Sequence, residues 1–320
     1  MTRYLIHRLL TFIPTLFGIS ILVFGAVRLI PGDQIMAALG TEAGMLTDKQ
    51  REAMEVYYGL DQPPIIQYFR WLGNLLQGDM GISTRHGPIL AAILKRLPLT
   101  IELAVLSLSV ALLIGIPIGI LSALKHNSFL DLAGRIFAMI GLAVPSFVLG
   151  AILIYVLSVG FGTLPNSGNY TDFIDDPLLN LRQLAFPAIT LGTSFAASVM
   201  RMTRSSVLEV RRESYVQTAR SKGLAANLIT RRHILRNALI PVTTLIGIEF
   251  GYLLGGAFIV EHLFSLPGIG RFAVFSISQR EYALIQGITL FVALTFICMN
   301  LLVDLIYVAL DPRISYRDHN

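Results

Sequence analysis

Long apolar runs dominate this sequence and constrain its fold more than any other feature. A helix needs about 20 predominantly apolar residues to cross the hydrocarbon core of a bilayer. Six runs reach or approach that length, and polar or proline-containing stretches separate them. They cover residues 9–30, 99–124, 136–161, 184–200, 241–263 and 283–310. The sequence therefore predicts an all-α polytopic membrane protein with six transmembrane helices.

Composition excludes several other classes of protein. Only 14% of the residues are charged and the mean hydropathy is +0.67, whereas soluble domains carry roughly 25% charged residues. The single cysteine, Cys298, excludes an intrachain disulfide and a cysteine-pair metal site. The six histidines are scattered without ligand spacing, so we expect no metal site. The net charge of +5 follows the topology described below, and we expect no nucleic-acid partner.

The segment between the first two runs predicts a helical insertion. Thr47 with Gln50 forms a capping-box pattern, and Pro63-Pro64 marks a second helix start. A third helix is predicted to begin at Pro88. We therefore divide the chain as follows: N-terminus and first helix 1–30, extracytoplasmic helical cap 31–98, core 99–310 with a polar loop at 201–240, and tail 311–320.

The distribution of lysine and arginine predicts the orientation. Six spans place both termini on one side, together with the polar loop 201–240. That loop holds nine of the chain's 25 basic residues, whereas the short loops on the other side hold only Arg182, Arg271 and Arg280. Short loops rich in Lys and Arg stay in the cytoplasm. We therefore expect both termini and the polar loop to be cytoplasmic.

The polar loop is predicted to contain short helices. Gly223 is expected to end one of them, since glycine adopts the left-handed conformation without steric penalty. Before it, Tyr215, Thr218, Ala219 and Lys222 follow the i, i+3, i+4, i+7 spacing of one helix face. This small, semi-polar face favours docking into a protein groove. A basic helix resting on anionic lipid headgroups is the alternative.

Motifs along the whole chain resemble the permease subunits of bacterial ABC importers, in the dipeptide/oligopeptide/nickel branch. Gln217-Thr218-Ala219 followed by Gly223 resembles the family's Glu-Ala-Ala…Gly loop, with Gln217 in place of the acid. Eight further motifs occur in the family's order: 31–33 (PGD), 59–63 (GLDQP), 78–83 (GDMGIS), 97–103 (LPLTIEL), 164–168 (LPNSG), 236–241 (RNALIP), 267–271 (PGIGR) and 311–314 (DPRI). Each motif is weak by itself, but their order is specific.

This resemblance implies an ABC importer type I permease fold and a five-part transporter. Its partners would be a second homologous permease, two ATPase subunits, an extracytoplasmic substrate-binding protein and membrane lipid. The loop helix at 213–224 would couple to an ATPase. The resemblance implies that this coupling set comprises Tyr215, Thr218, Ala219, Arg220, Lys222, Gly223 and Leu224.

The chain is expected to be a non-catalytic subunit. A P-loop needs a lysine directly after a glycine to reach the nucleotide phosphates. None of Lys49, Lys95, Lys125 and Lys222 follows a glycine. No arrangement of serine, histidine and acid is recognisable as a catalytic set. We therefore expect no cofactor in this chain, with ATP and Mg bound by partner subunits.

The fifth run contains the residues most suggestive of a translocation path. Ionisable groups within a membrane usually face a cavity or a partner, and Glu249 lies near the middle of this run. We expect Glu249, Tyr252 and Gly256 to line the path. Small residues four apart allow close helix packing, and we expect this role for Gly247, Gly251 and Gly255.

Three alternatives remain open at the level of sequence. The same scaffold would serve an importer of nickel or glutathione as well as one for di- or oligopeptides. A secondary transporter would show inverted repeats with paired broken helices, and no such symmetry is visible. A membrane-embedded enzyme would need a catalytic set, which is not recognisable.

Overall fold

A computed structural model gives the fold of this chain. It describes the backbone of residues 2–29, 35, 44–83, 85–162 and 170–310, with side chains except at 2–9, 57–58, 254–256 and 303–310. The described backbone is mostly helical, which confirms the predicted all-α class. The predicted tail 311–320 and most of the segment 30–43 lie outside the described residues.

The elements of the first half are α1 (Thr2–Leu29), α2 (Asp48–Tyr58), α3 (Pro64–Leu76), β1 (Ile82–Ser83), β2 (Gly87–Pro88), α4 (Ile89–Leu124), α5 (Phe129–Ala143) and α6 (Ser146–Phe161). The second half holds α7 (Pro177–Val210), α8 (Ser214–Ser221), α9 (Ala226–Leu228), a π-helical segment (Ile229–Leu235), α10 (Arg236–Ala238), α11 (Ile240–Gly256), α12 (Phe258–Leu263), α13 (Ile269–Ser278) and α14 (Tyr282–Leu310).

The apolar helices fall into two groups. Four are long and apolar enough to cross a membrane alone: Leu10–Leu29, Ile89–Leu124, Pro177–Val210 and Tyr282–Leu302. Two further candidates are bent pairs, α5 with α6 and the segment Ala226–Ala238 with Ile240–Leu253. The described residues thus hold four candidate spans, or up to six when each bent pair is one span.

Two predicted helix boundaries were wrong. The run 136–161 is not one helix, because α5 and α6 meet at 99°. Val144 is extended between them, since a residue that precedes a proline avoids the α conformation and Pro145 follows it. The short helix predicted from Pro88 is instead the first part of α4, which continues through Pro98 without a break. The predicted capping box does form, as Thr47 N donates to Gln50 Oε1 at 2.9 Å.

The chain divides into two compact units. The first comprises Met1–Thr100 and Pro267–Ile297. In it, β1 and β2 pair antiparallel, and Ser83 Oγ donates to Glu281 Oε2 at 2.5 Å. Its apolar core is formed by residues from α4, α13 and α14: Ile89, Ala92, Ile93, Ile269, Phe272, Leu284 and Ile288.

The second unit comprises Ile101–Leu266 and Cys298–Asn320. Within it, α4 and α7 approach so closely that only glycine fits at their contact. A Cβ added to Gly192 would lie 2.7 Å from the Ser107 carbonyl oxygen, and one on Gly115 would lie 2.7 Å from that of Ala196. Small residues permit such close packing of membrane helices. The helices α4 and α7 are therefore tightly packed against each other within this unit.

Candidate functional site

The short helix α8 occupies the predicted coupling position. It runs from Ser214 to Ser221, after Glu213 in an extended conformation. Gly223 has a φ of 74°, and Leu224 N donates to Ala219 O at 3.4 Å. The predicted left-handed glycine at the helix end is thus confirmed, because only glycine adopts this φ without steric penalty.

One face of α8 is buried against the unit that carries it. Val216 is 0% exposed and Ala219 is 6% exposed. They belong to an apolar cluster, which we call the platform: Ala123, Val207, Val216, Ala219, Ile229, Ile234 and Ala238. The sequence placed Ala219 on the outward face with Tyr215 and Thr218, and the structure corrects this placement. Val216 and Ala219 are i, i+3 neighbours, and their pairing fixes the inward face.

The opposite face of α8 is exposed. Thr218, Arg220 and Lys222 are exposed, as are Tyr215 and Leu224 at the two ends. The Tyr215 hydroxyl accepts a hydrogen bond from Asn237 Nδ2 at 2.9 Å. Thr218 Oγ1 donates to Ser214 O within the helix at 3.0 Å. The helix α8 is therefore fixed to its own unit by its buried face, and its opposite face is polar and exposed.

A hydrogen bond beside the platform joins the end of α7 to the end of α4. Arg211, just after α7, donates from Nη1 to the Ala123 carbonyl at 2.6 Å. Ala123 lies in the last turn of α4, where carbonyl groups lack partners within the helix. The helix α8 therefore lies beside the ends of α4 and α7, which contribute Ala123 and Val207 to the platform.

Next to the platform lies a buried ionic cluster that sequence reasoning missed. Asp131 is 0% exposed. Arg204 donates to it from Nε to Oδ1 at 2.7 Å and from Nη2 to Oδ2 at 3.0 Å. Ser122 Oγ donates to Oδ1 at 2.5 Å and the Asn127 backbone N–H to Oδ2 at 3.0 Å. The cluster joins α4, α5 and α7.

A local signal for this cluster is present in the sequence. Ser128 caps α5, and its Oγ accepts from the Asp131 N–H at 3.4 Å. A serine followed three residues later by an acid is a helix-start pattern. The pattern places Asp131 in the first turn of a helix, whereas the predicted runs leave residues 125–135 as the stretch between 99–124 and 136–161.

The predicted path residues lie on α11. Glu249 is half-buried and lies near the Ser198 side chain of α7. Tyr252 is 58% exposed, Gly251 is buried and Gly247 is half-buried. The surroundings of Gly255 and Gly256 lie outside the described residues. The path and packing roles of these residues remain predictions.

A second polar network surrounds Glu102 in α4. Tyr170 OH donates to Glu102 Oε2 at 3.1 Å, and Asn180 Nδ2 lies 3.3 Å from the same oxygen. Burial raises the pKa of Tyr170 well above its ordinary value, and the negative charge of Glu102 adds a smaller increase. The loop before α7 is thereby tied to α4.

Comparison with solved structures defines the class of fold. An amino acid ABC transporter chain matches 70% of this chain and 94% of its own length, with a TM-score of 0.53 and 18% identity. An inward-facing methionine ABC transporter chain matches 72% of this chain and 100% of its own, with a TM-score of 0.53 and 17% identity. The fold is that of ABC importer permeases.

Comparison of sequences identifies the family. The model of the binding-protein-dependent transport system inner membrane component matches residues 115–316, and its N-terminal counterpart matches residues 1–104. The chain belongs to the family of binding-protein-dependent transport system inner membrane components. It is accordingly a multi-pass membrane permease subunit of an ATP-binding-cassette importer.

Curated relatives are similar over their full length. The glutathione transport system permease protein GsiC of Pectobacterium atrosepticum is 41% identical over 318 residues, covering 99% of this chain and 100% of the relative. The oligopeptide transport system permease protein AppB of Bacillus subtilis is 40% identical over 319 residues, with coverage of 99% and 100%.

Proposed function

We propose that this subunit forms, with a second permease, the translocation path for di- or oligopeptides. The similarity to the oligopeptide permease over the whole chain carries this proposal. The similarity to the glutathione permease favours glutathione as a second candidate, since glutathione is itself a small peptide. Nickel is a third candidate that rests on the resemblance of the motifs alone.

The exposed face of α8 is the proposed docking surface for an ATPase subunit. Its inward face is held by the platform, so a force on the outward face acts on the ends of α4 and α7. ATP and Mg would be bound by two such partner subunits, and this chain would be non-catalytic. A substrate-binding protein would deliver cargo from the outside, with both termini in the cytoplasm.

Co-purification tests the docking surface. Thr218→Arg adds a bulky cation to the exposed face of α8 and leaves the buried residues of the platform unchanged. We expect the permease pair to assemble normally and to lose the ATPase. Asn74→Arg is the control, because it adds the same charge to an exposed position of α3, outside the docking surface. Retention of the ATPase by Thr218→Arg would contradict the proposal.

The cargo is tested separately with the reconstituted transporter and its cognate binding protein. Uptake of a labelled dipeptide is competed with oligopeptides, glutathione or Ni²⁺. Competition by peptides alone would support the leading candidate. Competition by glutathione or nickel at lower concentration would replace the proposed cargo without affecting the docking surface.

A further inference from the structure

The helix α3 (Pro64–Leu76) has three different faces. Tyr68 and Trp71 pack against α1, where their rings lie 5.2 Å and 5.7 Å from that of Phe24. A polar face carries Gln67, Arg70 and Asn74. The third face is apolar and between 47% and 81% exposed, and it consists of Ile65, Ile66, Phe69 and Leu76.

A hydrogen bond sets the depth of α3 beside α1. Tyr68 OH and Ser20 Oγ are 2.7 Å apart, and both side chains are buried. Ser20 lies nine residues before the end of the candidate span Leu10–Leu29. At 1.5 Å per residue, this places Ser20 about 13 Å below the end of the span. The phenol of Tyr68 therefore reaches into the part of α1 that the hydrocarbon core surrounds.

The end of the span is marked by Arg28. Its guanidinium donates to the Gln67 side chain and lies 3.4 Å from the centroid of the Phe24 ring. Arginine near the end of a membrane helix places its charge at the headgroups while its stem remains in apolar surroundings. The polar face of α3 thus shares the level of the headgroups, while Tyr68 lies deeper.

We propose that α3 is embedded in the leaflet at the C-terminal end of α1, with its third face in contact with lipid acyl chains. Amphipathic helices of this kind bury their apolar face about 5–10 Å below the headgroups. The helix α1 likewise carries exposed apolar residues, among them Leu22 and Leu29. The lipid surface of α1 therefore continues onto α3. This inference goes beyond the proposed function and depends only on α1 spanning the membrane.

The proposal changes the expected role of the segment 31–98. The sequence predicted an extracytoplasmic helical cap in this region, whereas α3 would support α1 from within one leaflet of the membrane. With the orientation proposed above, the leaflet concerned is the outer one.

Site-specific fluorescence tests the occupant of the third face. In a Cys298→Ala background, Phe69→Cys and the control Asn74→Cys are labelled with an environment-sensitive dye. The full chain, in its transporter, is then placed in nanodiscs with or without nitroxide-labelled lipid. We expect blue-shifted emission at Phe69→Cys that lipid nitroxide quenches, and water-like, unquenched emission at Asn74→Cys.

Two outcomes would overturn the proposal. Water-like emission at Phe69→Cys would place α3 in the aqueous phase. Blue-shifted emission without quenching by lipid would show that another protein surface covers this face. If Phe69→Cys does not assemble, Ile65→Cys and Leu76→Cys probe the same face, and the same two outcomes apply.

Discussion

Arg204 and Asp131 form a two-pronged ion pair that ties α7 to the first turn of α5. The two hydrogen bonds are 2.7 Å and 3.0 Å long, and Asp131 is fully buried. The pair lies next to the platform that carries α8, since Ser122 of the cluster precedes Ala123 of the platform. Its position makes it a structural link between the proposed docking surface and the membrane helices.

Removal of one partner of this pair should destabilise the chain strongly. Asp131→Asn leaves the Arg204 guanidinium, whose side chain is only 20% exposed, without its counterion, and we expect a loss of about 3 kcal/mol. Replacement of both partners by apolar residues, Asp131→Leu with Arg204→Met, should be less damaging than either single change. Thermal unfolding of the purified chain in detergent measures both effects.

Arg135 provides the matched control for the ion pair. Its Nε lies 4.0 Å from Asp131 Oδ1 and its side chain is 48% exposed. Exposed pairs contribute little, so Arg135→Ala should change stability by less than about 1 kcal/mol. Equal losses for Arg135→Ala and Asp131→Asn would contradict the assigned role of Arg204.

This ion pair also illustrates what the sequence leaves open. Asp131 and Arg204 are 73 positions apart, and nothing in local patterning pairs them. Features that depend on one stretch were predictable, such as the left-handed Gly223 and the capping box at Thr47. The apolar runs likewise gave the helical class, because burial in lipid requires internally bonded backbone.

The structure differs from the sequence-based prediction at other positions where the residue spacing was compatible with two arrangements and tertiary packing selected one. Ala219 fits either face of α8 by spacing, and the neighbouring Val216 decides which face is buried. The 99° bend at Pro145 lies inside a mostly apolar run, so hydropathy alone did not reveal it, although the proline itself is a local signal. Among the candidate coupling residues, Thr218 and Lys222 are exposed, whereas helical periodicity grouped the buried Ala219 with them.

The close contact between α4 and α7 predicts a sharp response to one added methyl group. In Gly192→Ala the new Cβ would lie 2.7 Å from both Ser107 O and Val110 Cβ. Overpacking of this kind costs about 1–3 kcal/mol, which thermal unfolding in detergent would detect. Gly18→Ala in α1 is the control, since its Cβ meets nothing within 4 Å. Unchanged stability of Gly192→Ala would show that the helices are further apart than described.

The proposed path role of Glu249 predicts a transport phenotype without an assembly defect. Glu249→Gln keeps the size of the side chain but removes any negative charge. We expect altered uptake or cargo preference in the reconstituted transporter, with normal assembly by size-exclusion chromatography. Ser198→Ala serves as the comparison, because it changes a neighbouring side chain and keeps the carboxyl. Unchanged uptake and preference in Glu249→Gln would assign Glu249 a packing role instead.

The raised pKa of Tyr170 predicts a pH dependence of stability. The phenol of the unfolded chain ionises near pH 10, whereas the folded phenol keeps its proton to higher pH. The stability contributed by Tyr170 is therefore present below about pH 10 and falls as the pH rises further. Tyr170→Phe should be less stable by about 1 kcal/mol at neutral pH. Its free energy of unfolding should also fall less steeply with pH above about pH 10.

Chemical denaturation in detergent over an alkaline pH series measures that slope. Tyr155→Phe is the control, since Tyr155 is 66% exposed in α6. It should keep the slope of the unmodified chain. An identical slope in Tyr170→Phe would show that the bond to Glu102 does not control the ionisation of Tyr170.

Photo-cross-linking from α8 tests the central claim most directly. A photoactivatable probe is attached to Thr218→Cys in the Cys298→Ala background, within the assembled and active transporter. We expect an ATPase subunit to be captured from Thr218→Cys and none from Asn74→Cys. Capture from Asn74→Cys alone, or labelling of Thr218→Cys by an impermeant reagent added outside intact cells, would contradict the account.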